Sequence, residues 1–237
     1  MLNTDNQVLR VVTDLVAFIR QRGYEPGERL PSERDLTNRF AVGRGVVREA
    51  LTVLEASRYL VRRPNSGVYL SSMSDQVSLE TLVLYSKLEI PMDRRTIVEC
   101  MEVRKILELQ AIRLAAERRT VSDLVALNHI LSQSQAAIEE GRSISDLDFD
   151  FHIAIFRASQ NDIFVRVVTP FYLMARQRRD DFFSNPQHCL ASHRHHVAMV
   201  HAIETQAGPE AVALMESHIG RVESHYLAGQ PEGEKGK

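Results

Sequence analysis

The sequence predicts a mainly α-helical protein in two parts. A winged helix-turn-helix occupies residues 1–72, and an all-helical bundle of about seven helices occupies residues 79–228. Three observations lead there. Short helix-period segments at the start give way to two β-branched or aromatic runs, YLVRR and GVYL, around the turn PNSG. Beyond residue 78, apolar residues recur at helical spacing and no convincing strand follows. Charge is divided as well. Residues 1–72 hold 11 arginines, no lysine and 8 acids, a net +3, whereas the remainder holds 18 basic and 23 acidic residues, a net −5. A basic module joined to an acidic one fits nucleic-acid binding by the first part alone.

Each element has a local reason. Val8, Val11, Val12, Leu15, Phe18 and Ile19 make one apolar stripe of a first helix, which Gly23 ends before the Pro26-Gly27 turn. Ser32 is placed to cap a short second helix, with Asp35 three residues on as a weak capping box. After the tight connection FAVG, a third helix runs from about Arg44 to Ala56. The stretch SSMSDQVS is small, polar and aperiodic, which sets a linker over 73–78. Helical segments follow at roughly 78–89, 96–118, 121–140, 145–159, 161–181, 189–206 and 208–228, with Pro91, Asn161, Pro186 and Gly208 at the breaks. The tail GQPEGEKGK, 229–237, is too polar to bury a core and is expected to be disordered.

Composition removes several classes. Hydrophobic residues at 44% and charged residues at 25% are an ordinary globular balance. No apolar run approaches the ~20 residues that span a bilayer, and MLNTDNQVLR has neither the basic start nor the apolar block of a secretory signal. Cys100 and Cys189 form no disulfide framework and no CxxC pair. A cytoplasmic protein is expected.

Two short helices, a tight turn and a β-hairpin describe a module whose second turn-flanking helix enters the DNA major groove. That helix begins RGVVREAL. Arg44 and Arg48 stand four apart on one face, while Val47, Leu51 and Leu54 take the other. Arginine suits such a face because its planar fork reaches guanine O6 and N7 together. Two arginines alone are equally well read as solvation of a surface helix. The surrounding pattern decides: Pro26-Gly27, the Leu30-Pro31-Ser32-Glu33-Arg34 box, Val42-x-Arg44, Val47-Arg48-Glu49-Ala50-Leu51 and Gly67 resemble the N-terminal domain of GntR-family bacterial transcription regulators. The resemblance implies DNA contact by Arg34, Arg44 and Arg48 and by the wing at Asn65, Ser66 and Gly67. It also marks a departure. Gly43 and Gly45 stand where the family usually has Ser or Thr, so arginines and backbone amides take a larger share of the phosphate contacts.

The second part carries a different chemistry. In DLDFDFHIAIFRAS, Asp148 and His152 are four apart on a stripe with Phe151 and Ile155. Taken alone, that pair is better read as an internal hydrogen bond than as metal ligands. Five of the nine histidines fall in HCLASHRHHVAMVH, 188–201. Extending the stripe of Met199, Val200 and Ile203 one turn back puts His196 inward; His195 and His201 project elsewhere as solvated residues, and His193 stands one turn from His196 as a supporting residue. His218 falls on the inward stripe of the last helix, with Leu214, Met215 and Val222. Buried polar groups left unpaired cost ~1–3 kcal/mol each. A shared metal removes that cost, and Asp with neutral imidazoles suits zinc first, with nickel or manganese as alternatives.

Residues 96–222 resemble the FadR-like subgroup of the GntR family, whose effector domain is the helical FCD bundle. The matching residues are Glu102-x-Arg104-x-x-x-Glu108, Asp148-x-x-Phe151-His152, His196 before Ala202-Ile203, and His218. The resemblance implies metal ligation by Asp148, His152, His196 and His218. It implies effector contact by Arg104 and Glu108, with Arg176 as a further candidate. It also implies a homodimer on near-palindromic operator DNA and a small organic or sugar acid as effector. Members that bind acyl-CoA lack the four ligands. The rival reading is a metal-dependent hydrolase with an appended nucleic-acid module, for which no HExxH or nucleophile motif is present and Glu108 is the only plausible base. A third reading makes the metal purely structural.

Overall fold

The structure is a computed structural model that describes residues 2–72, 78–90 and 92–228. Most of the expected linker, 73–77, and the expected disordered tail, 229–237, lie outside the described residues. The chain forms two compact units, Met1–Pro91 and Met92–Lys237.

In the first unit, α1 (Leu2–Gln21) buries Val11, Val12, Leu15 and Ile19. Gly23, at φ +66°, ends the chain's first turn after it. Ser32 opens α2 (Glu33–Phe40) with a complete capping box, its hydroxyl accepting from the Asp35 amide while Asp35 accepts from the Ser32 amide. Ala41, in the left-handed region at φ 52°, turns the chain into α3 (Arg44–Ala56). Val47, Ala50, Leu51 and Leu54 are the buried face of α3, which packs on α1.

The wing is an antiparallel hairpin of β1 (Leu60–Arg63) and β2 (Gly67–Leu70), with Leu60 opposite Leu70 and Arg63 opposite Gly67. Asn65 takes φ 55° and Gly67 φ 138°. Only glycine suits the second position, because a Cβ there would also lie 2.8 Å from Arg29 Nε. Residues 27–30 extend the sheet edge, with Leu30 N–H donating to Val68 O at 2.9 Å and Leu70 N–H to Glu28 O at 2.9 Å.

Ser78 caps α4 (Leu79–Lys87). The sequence boundary after residue 78 gives this helix to the C-terminal bundle, but the structure groups it with the winged unit. The physical reason is Tyr85. Its fully buried ring meets the edge of Tyr59 at 5.8 Å, and its hydroxyl donates to Ser57 O at 2.9 Å. A polar linker pattern precedes α4, yet the side chains that anchor it reach backwards.

The second unit comprises α5 (Arg94–Arg118), α6 (Val121–Glu139), α7 (Ser145–Ala158), α8 (Asp162–Met174), α9 (Arg176–Phe182), α10 (Pro186–Glu204) and α11 (Gly208–Ala228). Caps mark the starts: Asp93 for α5, a Thr120–Asp123 capping box for α6, Asn161 for α8, and Asn185 before Pro186 for α10. α7 lies at the centre, with Phe151, His152, Ile155 and Phe156 fully buried. It packs on α5, α6 and α8, while α5 also receives α11 and α10.

One expected helix, 161–181, is two. The break falls at Ala175, and Arg179 explains it. Its Nη1 donates to Tyr172 O at 3.1 Å, a carbonyl that a continuous helix would bond to the amide of residue 176. Its Nε donates to Ser145 O at 2.9 Å, so the buried guanidinium fastens the break to the start of α7.

If α4 belongs to the winged unit, a fragment ending at residue 91 melts at a higher temperature than one ending at residue 72. The lost Tyr85 contacts set the difference, since truncating a large buried ring costs about 3–5 kcal/mol. Equal melting temperatures would detach α4 from the unit.

Candidate nucleic-acid interface and metal centre

α3 presents Arg44 and Arg48 on its exposed face, opposite the buried Val47, Leu51 and Leu54. Gly43 caps the helix without a side-chain bond, and neither Gly43 nor Gly45 has a heavy atom within 4 Å of an added Cβ. The start of α3 is thus open for a backbone to approach. Arg34 is exposed on α2, and Asn65 is exposed at the wing turn beside the half-buried Ser66 and Gly67. Ser66 Oγ and Tyr69 Oη share a hydrogen bond of 2.5 Å, and Arg63 lies over the Tyr69 ring, 4.2 Å from its centroid. One contact is not evident from spacing. Glu33 accepts from Arg48 Nε at 2.8 Å and from Arg62 Nη1 at 3.2 Å, while Arg62 Nε donates to Glu55 at 3.3 Å. The hydrogen bond from Arg48, against a smaller opposing effect of burial, and the bond from Arg62 hold the Glu33 carboxyl below its ordinary range.

In the second unit, Asp148, His152, His196 and His218 converge from α7, α10 and α11, and one ligating atom of each lies within 4.8 Å of all the others. His152 is 0% exposed, His196 1%, His218 2% and Asp148 5%. His196 Nε2 is 3.5 Å from Asp148 Oδ1, His152 Nε2 is 3.8 Å from the same oxygen, and His152 Nε2 is 3.3 Å from His218 Nε2. Burial raises the Asp148 carboxyl and depresses the His196 and His218 imidazoles far below their ordinary value.

The donor set fits a metal. Asp148 Oδ1 and His196 Nε2 are buried with no hydrogen-bond partner among the described residues, each an omission that costs about 1–3 kcal/mol. Nitrogen and oxygen ligands at ~2.0–2.1 Å around a tetrahedral ion stand about 3.3–3.4 Å apart, close to the two shorter separations here.

Glu108 supports this cluster. It is fully buried, and its Oε2 accepts from His152 Nδ1 at 2.9 Å. Its Oε1 accepts from the Tyr172 hydroxyl and from Arg104 Nε at 3.2 Å. Burial alone would raise this carboxyl, but His152, Arg104 and Tyr172 bring it down to about 2. An ionised Glu108 makes His152 Nδ1 the protonated nitrogen and leaves Nε2 free toward the cluster. Glu108 is thereby consumed in orienting a ligand. Each of its oxygens already accepts a hydrogen bond from within the protein.

A cavity of about 50 Å³ adjoins Asp148 and His218. Arg104, Arg178 and Arg179 line it on one side, with Met101, Phe182 and Val222 on the apolar side. Arg104 is held by Glu108 and lies over the Tyr172 ring at 4.0 Å; Arg179 is bonded to two backbone carbonyls. Arg178 has no carboxylate within ion-pair distance among the described residues, and burial lowers its pKa. Arg176 was the sequence candidate, but the structure takes it elsewhere. It is 67% exposed, 3.9 Å from Asp180, and lines a separate surface groove. Arg178 and Arg179 instead continue the inward stripe of Phe171, Tyr172 and Ala175 at helical spacing, and Arg176 falls at its edge. His193 is buried next to the cluster. His195, expected to be solvated, is half-buried with its ring 5.8 Å from His218, and His201 is exposed.

Among the described residues, no helix is long and apolar enough to cross a membrane. Comparison with known proteins places both halves. Residues 7–70 match the family described as bacterial regulatory proteins, gntR family, and residues 99–221 match the FCD domain. The chain is 30% identical to the HTH-type transcriptional regulator LutR of Bacillus subtilis over 87% of its own length and 94% of LutR. It is 26% identical to the Uxu operon regulator of Haemophilus influenzae, covering 93% of this chain and 83% of that one. It is 31% identical to the galactonate operon transcriptional repressor of Escherichia coli, covering 68% and 70%. Among solved structures, Lar, which controls expression of the Listeria monocytogenes agr system, shares the fold at a TM-score of 0.66 with 18% identity, over 94% of this chain and 97% of Lar. These relatives are regulators rather than enzymes, which removes the hydrolase reading. The chain belongs to the GntR family of bacterial transcription regulators and carries an FCD domain behind its winged helix-turn-helix.

Proposed function

We propose that the protein is a metabolite-responsive regulator that binds near-palindromic operator DNA as a homodimer and senses a small organic or sugar acid beside a divalent metal. The observation that carries this reading is the pairing of two features. Four buried donors, three with unpartnered atoms, converge at one point, and two of them, Asp148 and His218, line a cavity that Arg178 also lines without a carboxylate in ion-pair distance among the described residues.

On this reading Asp148, His152, His196 and His218 hold the metal, zinc first and nickel or manganese as alternatives with the same donors. Bound there, a divalent cation supplies positive charge and an open position for a carboxylate or hydroxyl oxygen. Glu108 fixes the His152 tautomer, and the Phe151 ring, stacked on His196 at 3.9 Å, fixes that imidazole's plane. Arg178 pairs with the acid, Arg104 frames it, and the apolar wall excludes water from the ion pair. Acid binding biases DNA affinity only through different affinities for two arrangements of the molecule. On the DNA side, Arg44 and Arg48 face base edges, Arg34 and the amides at Gly43 and Gly45 face phosphates, and Asn65 to Gly67 approach the neighbouring groove. The need for two recognition helices to meet successive major grooves supports the dimer. Relatives named for the control of uxu and galactonate operons support a sugar acid among the effectors to be tried first.

Thermal melting tests the metal and the effector together. Metal-loaded protein is expected to gain stability with a small hydroxy or sugar acid, by about 2.7 kcal/mol at 100 times its Kd. EDTA and Arg178→Gln should each remove the gain, while Arg176→Gln keeps it. Melting that depends on metal with no response to any acid would make the metal structural. In a second measurement, His196→Ala should abolish the metal-dependent rise in melting temperature; an unchanged rise would take His196 out of the ligand set.

Gel shifts test the other face. Arg44→Ala should lose sequence-specific DNA binding by at least tenfold, from the ~1–3 kcal/mol of a bidentate base contact, with melting unchanged. Undiminished affinity would move base reading away from Arg44.

A further inference from the structure

Arg48 is 67% exposed, and an arginine so exposed ordinarily samples many rotamers. Here it does not stand free. Glu33, only 26% exposed, accepts from Arg48 Nε with Oε2 and from Arg62 Nη1 with Oε1, so each carboxylate oxygen is committed to a different arginine. Arg62 is braced a second time by Glu55 at 3.3 Å. The four side chains tie α2, α3 and β1 at one corner of the winged unit.

Each post of this corner is fixed independently. Glu33 is the first residue of α2, inside the Ser32–Asp35 capping box. Arg62 is set in the hairpin ladder opposite Val68. Arg48 projects from a helix whose opposite face is buried core. The carboxylate of Glu33 therefore sits at a defined place and direction relative to α3.

We infer that Glu33 is a positioning residue of the DNA interface, holding Arg48 so that its terminal Nη1–Nη2 edge is the one offered to a base. A guanidinium has five N–H donors in a rigid fork. With the Nε–H donated to Glu33, the Nη1–Nη2 pair is the edge left to meet guanine O6 and N7. A lone surface ion pair contributes little to stability, and these three pairs share Glu33 and Arg62 in one network whose geometry fixes the direction of the Arg48 side chain. A carboxylate placed on a face that approaches phosphates also repels every duplex alike. Glu33 thus trades general DNA affinity for a pre-ordered reading head, and its signature is in discrimination rather than in binding strength.

The inference rests on the reading of α3 as the base-reading helix, and the experiment separates the two. Selection from a random-sequence duplex library with the full-length wild-type protein provides the preferred duplex, and a scrambled duplex of the same composition serves as the non-specific probe. Glu33→Gln, which keeps the shape and removes the charge, should bind the scrambled duplex as tightly or more tightly and the selected duplex more weakly. The ratio of the two affinities should fall at least tenfold. Selection repeated with Glu33→Gln should relax one guanine per half-site and keep the remaining positions. Arg62→Gln, which frees one carboxylate oxygen but leaves Arg48 bonded, should shift the ratio in the same direction by less. Unchanged melting of both variants establishes that they fold. A ratio and base preference equal to wild type in Glu33→Gln would overturn the inference, as would a wild-type ratio in Arg48→Ala. Failure of the wild-type protein to select any sequence would instead overturn the reading of α3 itself.

Discussion

The helical unit depends on one carboxylate. Glu108 stands fully buried among Arg104, His152 and Tyr172, side chains from α5, α7 and α8. An ionised carboxylate in a dry interior is tolerable only when both its oxygens are hydrogen-bonded and its charge is paired, and removing one partner of such a group is strongly destabilising. Glu108 meets that condition with one imidazole, one phenol and one guanidinium. Its consequences then spread outward. The tautomer of His152 follows from it, the cation of Arg104 is held at the cavity edge by it, and the ring of Tyr172 is trapped between the two. The four-donor cluster and the cavity wall are therefore not separate features of the bundle but two sides of a single network.

The same device, a carboxylate orienting a nitrogen group, occurs in the winged unit, and burial decides what each can do. Glu33 is partly solvated, so its bonds to Arg48 and Arg62 are screened and contribute little to folding. What remains is direction. Glu108 lies where screening is weak, so its bonds govern stability as well as orientation. One geometry thus serves recognition at the surface and ligand alignment in the core.

Much of this was legible in the sequence, and the parts that were not share a physical cause. Helical periodicity placed Val47, Leu51 and Leu54 inward and His196 and His218 on buried stripes, because a period of 3.6 residues fixes which face a side chain occupies. The Ser32 cap and the Asn65–Gly67 turn were visible because each needs particular residue types at fixed offsets. Contacts between elements were another matter. Nothing within α4 says that Tyr85 reaches Ser57, and nothing within α3 says that Arg48 meets Glu33, fifteen residues earlier. The break at Ala175 was not legible in the same way. That break is made by Arg179 bonding Tyr172 O and Ser145 O, a tertiary contact that local pattern does not encode. His195 was misplaced for a related reason: a helix flanked on two sides buries more than its one apolar stripe.

Charge around the cavity argues for what enters it. Arg104, Arg178 and Arg179 bring three positive charges to its lining, against Asp148 and Glu223 in the lining and Glu108 behind it. The six together carry no net charge, and a divalent ion on the proposed ligands would raise it to +2. Lys105 stands 3.8 Å from Glu216 and 3.9 Å from Glu223. Such an excess in a partly desolvated space is itself unfavourable, and only water and mobile counter-ions offset it while the cavity is open. A small acid relieves it directly, with one carboxylate between Arg178 and the metal position. A second oxygen on the neighbouring carbon would relieve it further by chelation. A neutral sugar of equal size would fill the space and leave the field unanswered. On the proposed reading, electrostatics would select an anion before shape selects among anions, and the apolar lining of Met101, Phe182 and Val222 would be left to discriminate the carbon skeleton.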